Sequence, residues 1–283
     1  MAAQGLNFFS AALTIQWSIL VNNFFHQAWS GHWEKVHLSV QELIKGDFAS
    51  GAVLITLGAV MGKVTKSQMV VLVFLEVIFY AVNESIGVLS FEAVDMGGSI
   101  FVHTFGAYFG LGVTAAMGVY NLSNAKTTRW NSLFSYIGTI FLFAFWPSFN
   151  GALAPNNTSS QHRVVINTVL SLAACCATTF VISKYVRHGK FEADDLLNAT
   201  LAGGVGVGSS SDLVVQPGGA IGIGIVSGLV STLGFAYLSS RLLKLGVQDV
   251  LGVHNLHGLP GLIGAIGGAI SAAIADDEVY GDE

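Results

Sequence analysis

The sequence predicts an all-α polytopic membrane protein, and three observations carry that expectation. Hydrophobic residues make up 52% of its 283 positions and charged residues only 10%, against roughly 25% charged in an ordinary soluble domain. Mean hydropathy is +0.63. Glycine fills 34 positions with no Gly-X-Y period, which suits helices that approach closely in lipid, where small residues replace the hydrophobic driving force. The net charge of −5 says little about partners, because the charges sit between the apolar runs. No nucleic-acid partner is expected. Cys175 and Cys176 are adjacent inside an apolar run, so no disulfide framework is implied.

Runs of membrane-spanning length number about nine. The first, 5–25, follows a start without basic residues and stays apolar to Phe25, so it reads as a retained span and not a cleaved signal. The segment 26–46 is the one connection long enough for structure of its own. Spans 47–63 and 196–211 are short and glycine-rich, and need protein neighbours at their ends. Span 68–84 carries Glu76 in QMVVLVFLEVIFYAVN, and span 97–120 carries His103 in GGSIFVHTFGAYFGL. The remaining spans are 131–153, 163–183, 218–240 and 255–275.

With Met1 in the cytoplasm, Lys63, Lys66, Lys126, Arg129, Lys184, Arg187, Lys190, Arg241 and Lys244 all fall in cytoplasmic connections. That is nine of the twelve basic residues, leaving Lys35, Lys45 and Arg163 outside, as the positive-inside rule requires. The overlapping sequons at Asn156 and Asn157 then lie in an extracellular loop, where a glycan could attach.

An internal repeat is visible. Asp95 to His103 and Asp249 to His257 both read D-x-x-G-x-x-x-x-H, and both lead into a glycine-rich span. The two spans run in opposite directions, the pattern of an inverted-topology repeat with a site near the bilayer midplane.

His26, His32, His37, His162, His188 and His254 sit in connections or at span edges and read as polar surface. His103 and His257 lie within spans, where an ionisable group is costly and faces the bundle interior or a pathway. Neither span supplies the further ligands of a metal centre, and no cofactor is implied. GGVGVGSS (203–210) has no Lys-Ser/Thr after it and no strand before it, so it reads as helix packing and not as a phosphate loop. No nucleophile–base pair is present, so the chain is not expected to be an enzyme. Glu76 is expected as a protonated or interior-paired carboxylate within the bundle.

In order along the chain, DMGGSIFVHTFGAYFGL (95–111), FWPSFNGAL (145–153), SQHRVVINTVLSLAAC (160–175), NATLAGGVGVG (198–208), GLVSTLGFAYL (228–238) and NLHGLPGLIGAIGGA (255–269) resemble the Rh (Rhesus-type) branch of the ammonium transporter/Rh glycoprotein family. The resemblance covers essentially the whole chain. It implies one transmembrane domain over 1–283, in a multi-pass protein of the plasma membrane that assembles as a homotrimer of helical bundles. Each protomer would conduct ammonia or ammonium, with carbon dioxide a further candidate.

His103 and His257 match the family's paired pore histidines; His254 does not, because the family's histidine directly precedes the G-x-P-G that is here Gly258 to Gly261. Phe48 and Phe149 match its stacked extracellular phenylalanine gate. Asp95 and Glu84 match acidic groups of the outer vestibule, and Asp249 is the acidic counterpart of Asp95 in the second repeat. Members have eleven or twelve spans, so nine implies that the first and last helices are absent here. The retained histidines and phenylalanines favour transport, whereas the reduced topology favours a non-transporting scaffold or truncated isoform.

The implied mechanism has a physical basis. Carboxylates attract a cation, aromatic faces hold it, and a bore with two neutral imidazoles admits ammonia but not the ion. A bare charge pays a large desolvation penalty that a neutral molecule avoids.

Overall fold

A computed structural model of the chain describes residues 2–122 and 128–275. Lys126, one of the basic residues of the orientation argument, lies outside the described residues. Among those described, eight helices are long and apolar enough to cross a membrane. The first half holds α1 (Ala2–Ser30), α2 (Val40–Val60), α3 (Lys66–Ser85) and α4 (Phe105–Met117). The second holds α5 (Arg129–Asn150), α6 (Ser159–Val186), the short α7 (Ala193–Leu197) and α8 (Ala202–Val207), then α9 (Gln216–Leu233), α10 (Ser239–Lys244) and α11 (Leu259–Ala273). One-turn π segments follow α3 (Ile86–Ser90), open α4 (Ser99–Thr104), join α9 to α10 (Gly234–Leu238) and open α11 (His254–Gly258).

Local chemistry sets the helix starts. Side chains of Ser39, Thr65, Thr128 and Thr158 accept the backbone N–H three residues on, at the heads of α2, α3, α5 and α6. Each satisfies one donor that the first helical turn leaves open.

Eight of the nine expected spans are single long helices. The seventh, 196–211, differs in form: α7 and α8 alternate with 3₁₀ turns at Ala199–Leu201 and Gly208–Ser210. Neighbours at backbone distance explain it. A Cβ on Gly203 would sit 2.5 Å from the Ser171 carbonyl oxygen, one on Gly204 2.6 Å from Trp146, and one on Gly206 2.1 Å from Ser227 Oγ. Polar groups freed by the irregular backbone are met by α6. Ser171 Oγ donates to the Gly203 carbonyl at 2.7 Å, and Cys175 Sγ accepts from the Gly203 N–H at 3.0 Å. Irregular backbone at membrane depth is tolerated where protein surrounds it in this way.

Contacts between connections separate the two ends of the bundle. At one end Arg163 Nε donates to the Asp212 carbonyl (2.7 Å), and Ser209 Oγ donates to Asp95 Oδ1 (2.6 Å). At the other, Arg187 pairs with Asp195 at 2.8 Å, and Thr114 Oγ1 donates to the Gln248 carbonyl at 2.7 Å. There too Lys63 reaches the Gly118 carbonyl at 2.8 Å as well as both oxygens of Thr114. A cation at a helix C-terminus is favourable, and partial burial lowers its ammonium pKa. In every one of these contacts both partners are residues that the basic-residue pattern places towards the same side.

The first half packs through Val21, Val53, Leu57, Met69, Val73 and Val77 between α1, α2 and α3. The second has a core of Trp146, Leu172, Cys175, Leu201, Val205 and Leu256. The halves interlock where α11 crosses the π segment of α4. There a Cβ on Gly261 would meet Thr104 Oγ1 at 2.3 Å, and one on Gly264 would meet Ser99 Oγ at 2.4 Å.

Candidate pore and its paired histidines

Both copies of D-x-x-G-x-x-x-x-H fold alike. Gly98 and Gly252 take left-handed backbone angles, φ 71° and 75°, which favour a residue without Cβ. Behind them the aspartates cap the π segments. Asp95 Oδ2 accepts from the N–H of Ile100 (2.9 Å) and Phe101 (2.8 Å). Asp249 accepts from Gly252 (3.0 Å), Val253 (2.9 Å) and His254 (2.9 Å). Burial raises both carboxyl pKa values above the ordinary range, and the hydrogen bonds each carboxylate accepts offset only part of that rise. The two caps lie at opposite ends of the bundle, so the motifs face each other, as an inverted repeat requires.

Each π segment carries one histidine inward. The rings of His103 and His257 lie with centroids 5.1 Å apart and planes 13° apart, and their Nδ1 atoms are 3.1 Å from each other. Two neutral imidazoles can share that contact only if one Nδ1 donates and the other accepts. One Nε2 is then a bare acceptor, and the other carries a proton. His103 Nε2 is buried without a protein partner. Trp146 stacks beside His103 at 5.8 Å and 25°, and Phe149 lies 5.6 Å from the same ring.

A cavity of about 500 Å³ touches both histidines. Its wall is formed by Gly51, Leu54, Ile55 and Gly58 of α2 on one side and by Phe141, Phe145, Trp146 and Phe149 of α5 on the other. Leu251, Val253 and Asn198 line it as well. The α2 residues recur at helical spacing, so one face of that helix is given to the cavity. Phe149 meets Phe48 with ring centroids 5.0 Å apart.

The other sequence-selected residues lie away from the rings. Glu84 Oε2 is 3.3 Å from His26 Nε2, so a histidine read as plain surface meets the carboxylate that the resemblance assigns to the outer mouth. Asp95 spends both oxygens on the helix start and Ser209. Asn156 and Asn157 are exposed in the connection between α5 and α6. Sequence reasoning missed Trp146, Asn198 and Leu251. Trp146 left a signal, since it precedes Phe149 by three residues and so shares its helix face. Asn198 and Leu251 left none, because folding alone brings their connections to the cavity.

Comparison with known proteins gives a consistent result. The model of the Ammonium Transporter Family matches residues 3–282. Ammonium transporter Rh type C of Rattus norvegicus is 45% identical over 99% of this chain and 57% of its own length. Ammonium transporter Rh type B of Danio rerio is 45% identical over 99% of this chain and 61% of its own. The chain thus spans about three fifths of these relatives. Nitrosomonas europaea Rh50, described with the Rhesus protein family of channels, superposes with a TM-score of 0.82 at 33% identity, covering 96% of this chain and 76% of that one. Saccharomyces cerevisiae Mep2 shares the fold, with a TM-score of 0.72 at 24% identity over 84% of this chain and 54% of its own. The chain belongs to the Ammonium Transporter Family, in its Rh branch, a family of membrane transporters and not of enzymes.

Proposed function

We propose that the chain conducts ammonia across a membrane through the cavity beside His103 and His257. The observation that carries this reading is the nearly parallel histidine pair, Nδ1 to Nδ1 at 3.1 Å, set in a mostly apolar cavity next to the Phe48–Phe149 contact. Ammonium would be drawn to the outer mouth, where Glu84, unlike Asp95, is not committed to a helix start. Its proton would be left there. The idealised cost of moving an ion of that size into a low-dielectric interior is of order 20 kcal/mol, and among the described residues no fixed negative charge lines the cavity. Ammonia avoids that cost. It can donate to the bare Nε2 of one imidazole and accept from the protonated Nε2 of the other, so the pair serves both halves of its hydrogen bonding.

The same reading extends to a homotrimer in the plasma membrane, glycosylated at Asn156 or Asn157, and to carbon dioxide as a second neutral permeant. Asp95 and Asp249 act in it as positioning residues for the two histidine-bearing segments. The test is internal pH in proteoliposomes of the purified chain after an inward ammonium gradient, with membrane current recorded in parallel. A fast alkalinisation without current supports conduction of ammonia. A rate equal to that of empty liposomes overturns it and leaves the scaffold reading.

A further inference from the structure

Glu76 is fully buried in the middle of α3. Its Oε1 lies 2.6 Å from Thr56 Oγ1 of α2, and that same hydroxyl lies 2.9 Å from the Gly106 carbonyl oxygen of α4. Glu76 Oε2 is buried without a partner. Among the described residues Thr56 is the one polar group on this carboxyl, and no cation pairs with it.

A proton count decides the chemistry. A threonine hydroxyl has one hydrogen, and the Gly106 carbonyl can only accept. If Glu76 were ionised, two acceptors would compete for that hydrogen, and one close oxygen–oxygen contact would hold no proton at all. The anion would also sit in the membrane interior with one hydrogen bond and no counter-charge, the arrangement proteins avoid by neutralising the group. With the proton on Oε1 every contact is satisfied in sequence. Glu76 donates to Thr56, and Thr56 donates to Gly106.

We propose that Glu76 is a permanently protonated carboxylic acid whose hydrogen starts a relay through Thr56 to the Gly106 carbonyl, and that this relay positions the pore wall. Three helices meet in it. Thr56 lies outside the stripe of α2 (Gly51, Leu54, Ile55, Gly58) that lines the cavity, on the side facing α4. Here α2 and α4 touch backbone to backbone, since a Cβ on Gly106 would stand 2.6 Å from the Ala52 carbonyl oxygen. Van der Waals contact between such smooth surfaces fixes their separation but not their rotation or slide. A directed hydrogen-bond relay supplies both. Gly106 is about one turn beyond His103 and Phe48 about two turns before Thr56, so the relay sets the phenylalanine contact relative to the histidine.

The positioning role rests on the proposed conduction, whereas the protonation state does not, and the test separates them. Parent chain and the variants Glu76→Gln, Thr56→Val and Thr56→Ser are reconstituted, and infrared spectra are taken at pH values where an ordinary glutamate is fully ionised. The expected result is a protonated-carboxyl carbonyl band in the parent that Glu76→Gln removes. That variant, whose amide still donates to Thr56, keeps ammonia conduction within about twofold of the parent and leaves its pH profile unmoved, because no charge is lost. Thr56→Val, of equal shape without the hydroxyl, lowers conduction about three- to tenfold at equal incorporation, and Thr56→Ser restores it. Absence of the band, or parent-like conduction in Thr56→Val, overturns the proposal. Should the parent itself not conduct, the transport reading fails alone, and the infrared band still decides the protonation of Glu76.

Discussion

His103 and His257 stand 154 positions apart in the chain, yet their imidazoles are nearly parallel and joined Nδ1 to Nδ1 at 3.1 Å. Each ring therefore gives the other its one satisfied nitrogen. Replacing either with Ala strands a buried polar group, which costs roughly 1–3 kcal/mol. Both single variants should slow ammonia-driven alkalinisation in proteoliposomes, and the double variant should be little worse than either, because a coupled pair is non-additive. Unchanged flux in both singles would make the pair structural.

A carboxylate in the same place inverts the electrostatics. His103→Glu or His257→Glu puts a fixed negative charge against the apolar cavity, so the favoured permeant should change from ammonia to a cation. Planar bilayer recordings under an ammonium gradient should then show current that the parent lacks. Silence in both variants would argue that the cavity is not the conduction path.

The Phe48–Phe149 contact, 5.0 Å between centroids, is the aromatic constriction of the outer mouth in the proposed function. Phe149→Ala removes one ring without adding charge. Ammonia flux should persist, while methylammonium uptake and osmotic water permeability rise. If both stay at the parent value, Phe149 does not limit the passage.

Asp95 and Asp249 each hold the start of a histidine-bearing segment by several backbone bonds. Asp95→Ala and Asp249→Ala should each destabilise the chain by about 1–2 kcal/mol, the upper range for loss of a helix cap, seen as a lower melting temperature in detergent. The Asn variants keep one accepting oxygen and should fall between. Melting temperatures at the parent value would leave the two caps without energetic weight.

Orientation can be tested at two exposed sites. Ser159→Cys, at the start of α6, should react with an impermeant maleimide on intact cells, and Lys190→Cys should react only after permeabilisation. Lys190 serves better than its neighbour Gly189, whose φ of 87° a side chain would strain. Labelling above the background of Cys175 and Cys176 at position 190 alone would reverse the topology.

Much of this arrangement was legible in the sequence, and the rest failed for identifiable reasons. Hydropathy locates the long helices because lipid imposes a length on each. It says nothing of the α7–α8 run, whose breaks depend on Ser171, Trp146 and Ser227 pressing on three glycines from other helices. The repeated D-x-x-G-x-x-x-x-H was visible as a pattern. Its meaning, a left-handed glycine and a carboxylate capping a π segment, needed the backbone. Residue type alone marked Glu76 as an anomaly, but the hydroxyl beside it and the carbonyl beyond that hydroxyl come from two other helices.

The crossing of α11 over the π segment of α4 leaves no room for a side chain between the two histidine-bearing elements, since a Cβ on Gly261 or Gly264 would overlap Thr104 or Ser99. The gap between the two imidazoles is therefore measured out by glycine backbone resting on two small hydroxyl side chains, like the span of a rigid caliper. Any gain in side-chain volume at Ser99, Thr104, Gly261 or Gly264 would force it open. Engineering a wider permeant would have to work at the aromatic rim or at the α5 wall, where the lining is made of side chains that can be trimmed one at a time.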